Sequence, residues 1–187
     1  MSDPKQTPGT PLQKIQPNLF PMYEMTGQGP VFTAQAKQAH RNVKTPLWQY
    51  LRGARLMAVL SAPIIYLCLI AFLLLDLSVS LYQGICFPIY GIPKVRRANY
   101  LVFDRGGLHY LNVLERFNCI YCSYANGLIA YVTEVVGRTE QHWCPIKHAR
   151  KPASQHGRYN YFLPYGNAGA YRQQLDDVRD AFEDIKP

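Results

Sequence analysis

The chain has 187 residues, room for one domain of ordinary size, or for a smaller domain plus a membrane anchor, and no more. Charged residues make up 17% of it, below the usual quarter or so. Twenty Lys and Arg against twelve Asp and Glu leave a net charge of +8, which suits anionic lipid headgroups or nucleic acid, and a membrane segment in the same chain favours lipid.

In chain order, residues 1–45 are rich in proline and show no long apolar periodicity, which predicts an extended arm without its own core. The next ten, "PLWQYLRGAR", begin a helix at a membrane interface, with Trp48 and Tyr50 where an aromatic belt belongs. From Leu56 to Leu75, "LMAVLSAPIIYLCLIAFLLL", twenty residues pass without a charge. As a helix they cover roughly 30 Å, the thickness of a bilayer's hydrocarbon core. Only 38 residues separate Arg55 from Lys94, too few for two spans and a turn. One long, tilted transmembrane helix over this 46–93 unit is therefore the preferred reading, breaking near Gly84 or Pro88. A re-entrant hairpin bent at Pro63 is the alternative. Roughly fifty mostly polar residues precede the apolar run, unlike a cleaved secretory signal. Asp76 reads as a headgroup-level carboxylate, with the partner of an arginine on another chain as the sharper alternative.

Residues 94–158 predict a small helical head. "KVRRANYLVFDRGGLHYLNVLERF" alternates at Tyr100 and Val102 before an Asp-Arg-Gly-Gly turn, a short strand leading into a helix. The 17 uncharged residues between Arg116 and Glu134 read as a helix buried against the anchor or lying at the interface, a second span being the lesser option. Glu134, Arg138 and Glu140 then mark a solvated helix end. The tail, residues 159–187, ends in an amphipathic helix with Leu175, Val178, Ala181 and Phe182 on one face.

Chemistry concentrates in the head. Cys119 and Cys122 are spaced C-x2-C, and Cys144 and His148 follow as C-P-x-x-H. With the intervening residues forming one helix and its return, the four make a Cys3His tetrahedron suited to structural zinc, with His142 as a substitute ligand. An iron–sulfur cluster is the lesser metal alternative. Simple packing of small apolar thiols, as for Cys68 and Cys86, stays open, as does a redox dithiol. His142, His148 and His156 have no orienting group in the sequence. Phosphate-loop, nucleophile-elbow, zinc-protease and dinucleotide motifs are absent.

"CIYCSYANG" (119–127) with "RTEQHWCPIKHA" (138–149) resembles a motif pair found in uncharacterised bacterial membrane proteins. The likeness covers about residues 50–150. It implies that Cys119, Cys122, Cys144 and His148 act as a unit, and it implies no activity. Two functional expectations follow. The first is a non-catalytic, membrane-anchored accessory subunit of a larger bacterial membrane complex, contacting lipid and other subunits through the transmembrane helix and the arm. The second is a small membrane-bound redox or lipid-modifying enzyme using the Cys/His cluster. No nucleic-acid partner is expected. The thiols and the missing signal peptide place the head on the cytoplasmic side of the inner membrane, although five flanking cations against four set no orientation.

Overall fold

The computed structural model describes residues 23–27 and 29–185. The first part of the predicted arm, residues 1–22, lies outside them. From residue 23 onward the arm is not extended. Tyr23–Thr26 (β1) and Gly29–Phe32 (β2) form an antiparallel hairpin, with Tyr23 opposite Phe32. Ala34–Val43 (α1) follows, capped by the Thr33 side chain, which accepts from the Ala36 N–H at 3.2 Å. Aromatic contact holds this module down where a proline-rich sequence gave no sign of it. The Phe32 ring meets His40 at 5.0 Å and His109 at 6.2 Å between centroids, and His40 meets Tyr110 at 4.9 Å.

Leu47–Arg52 (α2) is a separate short helix, its Trp48 largely exposed. Leu56–Ile89 (α3) is then continuous for 34 residues, about 51 Å. It continues through Pro63, so the re-entrant hairpin does not form. Nearby, the Ser61 hydroxyl donates to the Ala58 carbonyl at 3.1 Å. Past Pro88 the helix stops where Gly91 adopts φ +70° and the Ile92 N–H returns to the Phe87 carbonyl at 2.9 Å. That is a glycine-dependent C-cap sealed by an apolar pair, since Phe87 and Ile92 both enter the core. α3 is long and apolar enough to cross a membrane, and no part of its most apolar 18-residue window is buried.

Residues 90–112 cross over from the end of α3. The predicted strand does not form there; two 3-10 turns, Arg97–Asn99 and Asp104–Gly107, take its place. No strand lies alongside to pair with it among the described residues. Instead Tyr100 and Leu101 pack on the core.

Val113–Trp143 (α4) is a 31-residue helix. It opens with a reciprocal capping box: the Glu115 N–H donates to Asn112 Oδ1 (3.0 Å) and the Asn112 N–H to Glu115 Oε2 (2.8 Å). Its contacts with α3 fix their relative direction. Tyr66 Oη donates to Asn118 (2.6 Å), Tyr124 Oη to Asp76 (2.7 Å) and Gln83 Nε2 to Tyr131 Oη (3.0 Å). Numbers rise together, so the helices are parallel, and the crossover must run back along the pair. The uncharged stretch of α4 lies beside the anchor helix, as one of the sequence readings has it. The solvated end at Glu134, Arg138 and Glu140 is not found. α4 continues to Trp143, and Arg138 is buried, donating to Glu134 and to the Pro93 carbonyl at 2.8 Å each.

The core of Phe87, Ile92, Val95, Leu128, Tyr131 and Val135 sits between the second half of α3, the crossover and α4. Ala168–Asp180 (α5) forms as the apolar spacing predicts, although Ala181 and Phe182 fall beyond its end. Phe182 still packs against the core.

Candidate functional site

α4 decides the fate of the cysteines and histidine that the sequence puts together. Cys119 and Cys122 lie in its early turns, and Cys144 is the residue that caps its far end. At 1.5 Å per residue, Cys122 and Cys144 are about 33 Å apart along the axis. The helix-and-return between them is replaced by unbroken helix, so Cys119 and Cys122 do not meet Cys144 and His148. His148 is engaged elsewhere: its ring stacks on Tyr159 at 6.2 Å, and its backbone N–H donates to Tyr159 Oη at 2.8 Å. His142, the substitute ligand, packs against Tyr90 and Trp143. Among the described residues no group of three or more His, Cys, Asp or Glu is placed to hold a metal. All five thiols are unpaired.

Each of the two internal glycines of α4 lies against a segment distant in sequence. A Cβ at Gly127 would lie 2.6 Å from the Tyr100 carbonyl oxygen, and one at Gly137 would lie 2.7 Å from the His156 ring. Both are notches that admit a neighbouring segment, the use glycine has where backbones approach closely.

What the structure does assemble are two polar groups that the sequence left unjoined. In the second half of α3, Asp76 accepts from Nη1 and Nη2 of Arg97, from Tyr124 Oη and from Ser80. The arginine partner of Asp76 is thus in its own chain. Seven residues further along α3, the buried Gln83 side chain accepts the Val95 N–H at 2.8 Å and donates to the Val95 carbonyl and Tyr131. Around the last turns of α4, His156 Nε2 contacts Glu140 at 2.9 Å, so this histidine does have an orienting group. Glu140, His148 and His156 share the lining of a pocket of about 220 Å³. Next to it, Gln141 donates to the Val178 and Ala181 carbonyls and accepts from the buried Arg158, which also grips Asp184 at 2.6 Å. Hydrogen bonding from Arg158 holds the Asp184 carboxyl below the usual carboxylate range. No short-range pattern links Gln141 to Arg158 and Asp184, because they meet only after the chain folds back from the end of α4. The Gly137 notch was the one local sign that something packs there.

A third feature lies at the start of the crossover. Lys94, Arg96, Asn99 and Arg138 line a cleft of about 410 Å³. Lys94 and Arg96 make no ion pair with any described carboxylate. Compared with protein-family models, curated proteins and solved structures, the chain has no match.

Proposed function

We propose that the chain is a non-catalytic, membrane-anchored accessory subunit of a larger membrane complex, with the outer flank of α3 in lipid and the flank made by α4 and the crossover against a neighbouring subunit. One observation carries this reading: no 30 Å slab along the α3–α4 pair is free of charge. A slab over Leu56–Leu75 contains the level of Tyr66, whose ring packs on Phe117 and whose hydroxyl bonds Asn118. Glu115 and Arg116 stand less than a turn away, near mid-depth. Moving the slab along α3 by one residue brings in Asp76 with Arg97.

Each charged side chain at mid-bilayer costs about 2.5–3.5 kcal/mol. The first placement avoids the Asp76–Arg97 pair and leaves α3's apolar flank for lipid. It needs a protein surface over Glu115, Arg116, Asp104 and Arg105. A lone span in lipid supplies none, and a partner subunit does. The head then emerges past Asp76, on the cytoplasmic side in this reading, where free thiols such as the exposed Cys144 stay reduced. A Cys3His zinc or iron–sulfur clasp forms no part of the proposal.

Carbonate extraction of membranes followed by sizing in mild detergent tests it. The chain stays with the membranes, and it migrates well above its own 21.4 kDa together with other polypeptides. Leu67→Arg with Leu74→Arg, on the outward face of α3, releases it. Release of the unaltered chain by carbonate, or migration as a single copy, overturns the proposal.

A further inference from the structure

We infer that the cleft between the start of the crossover and α4, floored by Arg138 and rimmed by Lys94 and Arg96, binds a phosphate-bearing anion, in the cell the headgroup of an anionic phospholipid. Three observations converge on it. The first is unbalanced charge: three cations line the cleft, and the carboxylate bound to one of them is Glu134, 2.8 Å from Arg138 Nε. The remaining positive charge has no internal partner among the described residues.

The second is construction. The Arg138 side chain is only 7% exposed, and its Nε and Nη1 are fixed by Glu134 and the Pro93 carbonyl. Nη2 makes no hydrogen bond to any described residue and remains as a preset charged donor for an oxyanion. The cleft, about 410 Å³, falls in the range of small-ligand pockets, about 300–1,000 Å³.

The third is depth. Val95 is bonded to Gln83 and Arg97 to Asp76, so Lys94 and Arg96 stand level with the stretch of α3 just past Leu75. Asp76 is the first residue beyond the apolar run, and Gln83 lies about 12 Å beyond its end at Leu75. With Leu56–Leu75 in hydrocarbon, the cleft opens where phosphates lie. The lipid source rests on the membrane reading above; the anion site does not.

The test uses the full chain in two settings and reads its thermal midpoint. One is nanodiscs of phosphatidylcholine with or without phosphatidylglycerol. The other is detergent micelles with inorganic phosphate or chloride at matched ionic strength. Phosphatidylglycerol is expected to raise the midpoint, and Lys94→Gln with Arg96→Gln to remove at least half of that rise. Arg150→Gln with Lys151→Gln, equal in charge lost, keeps it. A rise with inorganic phosphate that the Lys94/Arg96 variant lacks supports the site and names a soluble phosphate as its ligand. No rise in either setting overturns the inference. So does a rise that survives the Lys94/Arg96 variant, or one lost equally in the Arg150/Lys151 variant. Failure of the chain to enter nanodiscs overturns the membrane reading alone, since the micelle arm still reads the anion.

Discussion

At Gly127 the crossover backbone lies so near α4 that a single methyl group decides between packing and clash. In Gly127→Ala the new Cβ meets the Tyr100 carbonyl oxygen at 2.6 Å, and backbone cannot swing aside as a side chain can. A destabilisation of about 1–3 kcal/mol is expected, despite the roughly 1 kcal/mol by which alanine is the better helix former. In Gly137→Ala the obstacle is the His156 ring, which rotates away at the cost of its Glu140 contact. The first variant should therefore melt lower than the second, at about 2–4 °C per kcal/mol in a chain of this size. The opposite order in calorimetry would mean that the crossover does not pack at Gly127. Gln83→Leu is expected to cost a similar 1–3 kcal/mol, because it keeps the volume but strands the buried Val95 N–H and carbonyl. Denaturant titration checks it.

Asp184 gives the residue scale a pH dependence. Arg158 lowers its pKa in the folded chain, so the stability it contributes is fully present above the unfolded value, about 3.9, and fades as pH falls through the lower folded one. Acid should loosen the segment after α5 before it melts the core, and Asp184→Asn should do so at neutral pH. Hydrogen exchange of residues 181–185 against pH reads both. Equal protection in the variant and the unaltered chain would remove Asp184 from the account.

Among the elements, α4 most separates what was legible from what was not. Its helical character and its uncharged stretch could be read from residues 117–133, with packing on the anchor one of the readings left open, because composition and charge are local properties. So could α3, where twenty uncharged residues favour one span over a hairpin bent at Pro63, and α5, where the apolar spacing repeats. The length of α4 could not be read. The spacing from Cys122 to Cys144 predicts one helix and its return, with Gly127 and Gly137 lying between the two cysteines. Both glycines are instead required by segments far off in sequence, Tyr100 and His156, which no window around them contains. The same cause hides the hairpin of β1 and β2, whose anchoring rings His109 and Tyr110 lie well downstream. The clasp of Cys119, Cys122, Cys144 and His148 fails on this point of length alone. Spin labels at Cys122 and Cys144, with the other three cysteines replaced by serine, should report a separation near 33 Å. A distribution below about 10 Å would restore the turn and with it the zinc reading.

At the scale of the whole molecule, the α3–α4 pair has two flanks that ask for different surroundings. Ile64, Leu67 and Leu74 point outward from α3, 60% or more exposed among the described residues. On the other side the crossover lays Asp104 and Arg105 across α4 near Cys122 and Ser123. One solvent cannot serve both flanks: hydrocarbon suits the first and penalises each charge on the second by about 2.5–3.5 kcal/mol at mid-depth. The asymmetry can be measured in native membranes. A spin label at Leu67→Cys should collide readily with oxygen, which concentrates in lipid, and poorly with a water-soluble nickel reagent. A label at Glu115→Cys should be shielded from both, because protein covers it. Strong collision of the Glu115 label with nickel would put water on that flank, and strong collision with oxygen would put lipid there. Either result leaves the charged flank without a neighbouring subunit, and the accessory-subunit reading falls with it.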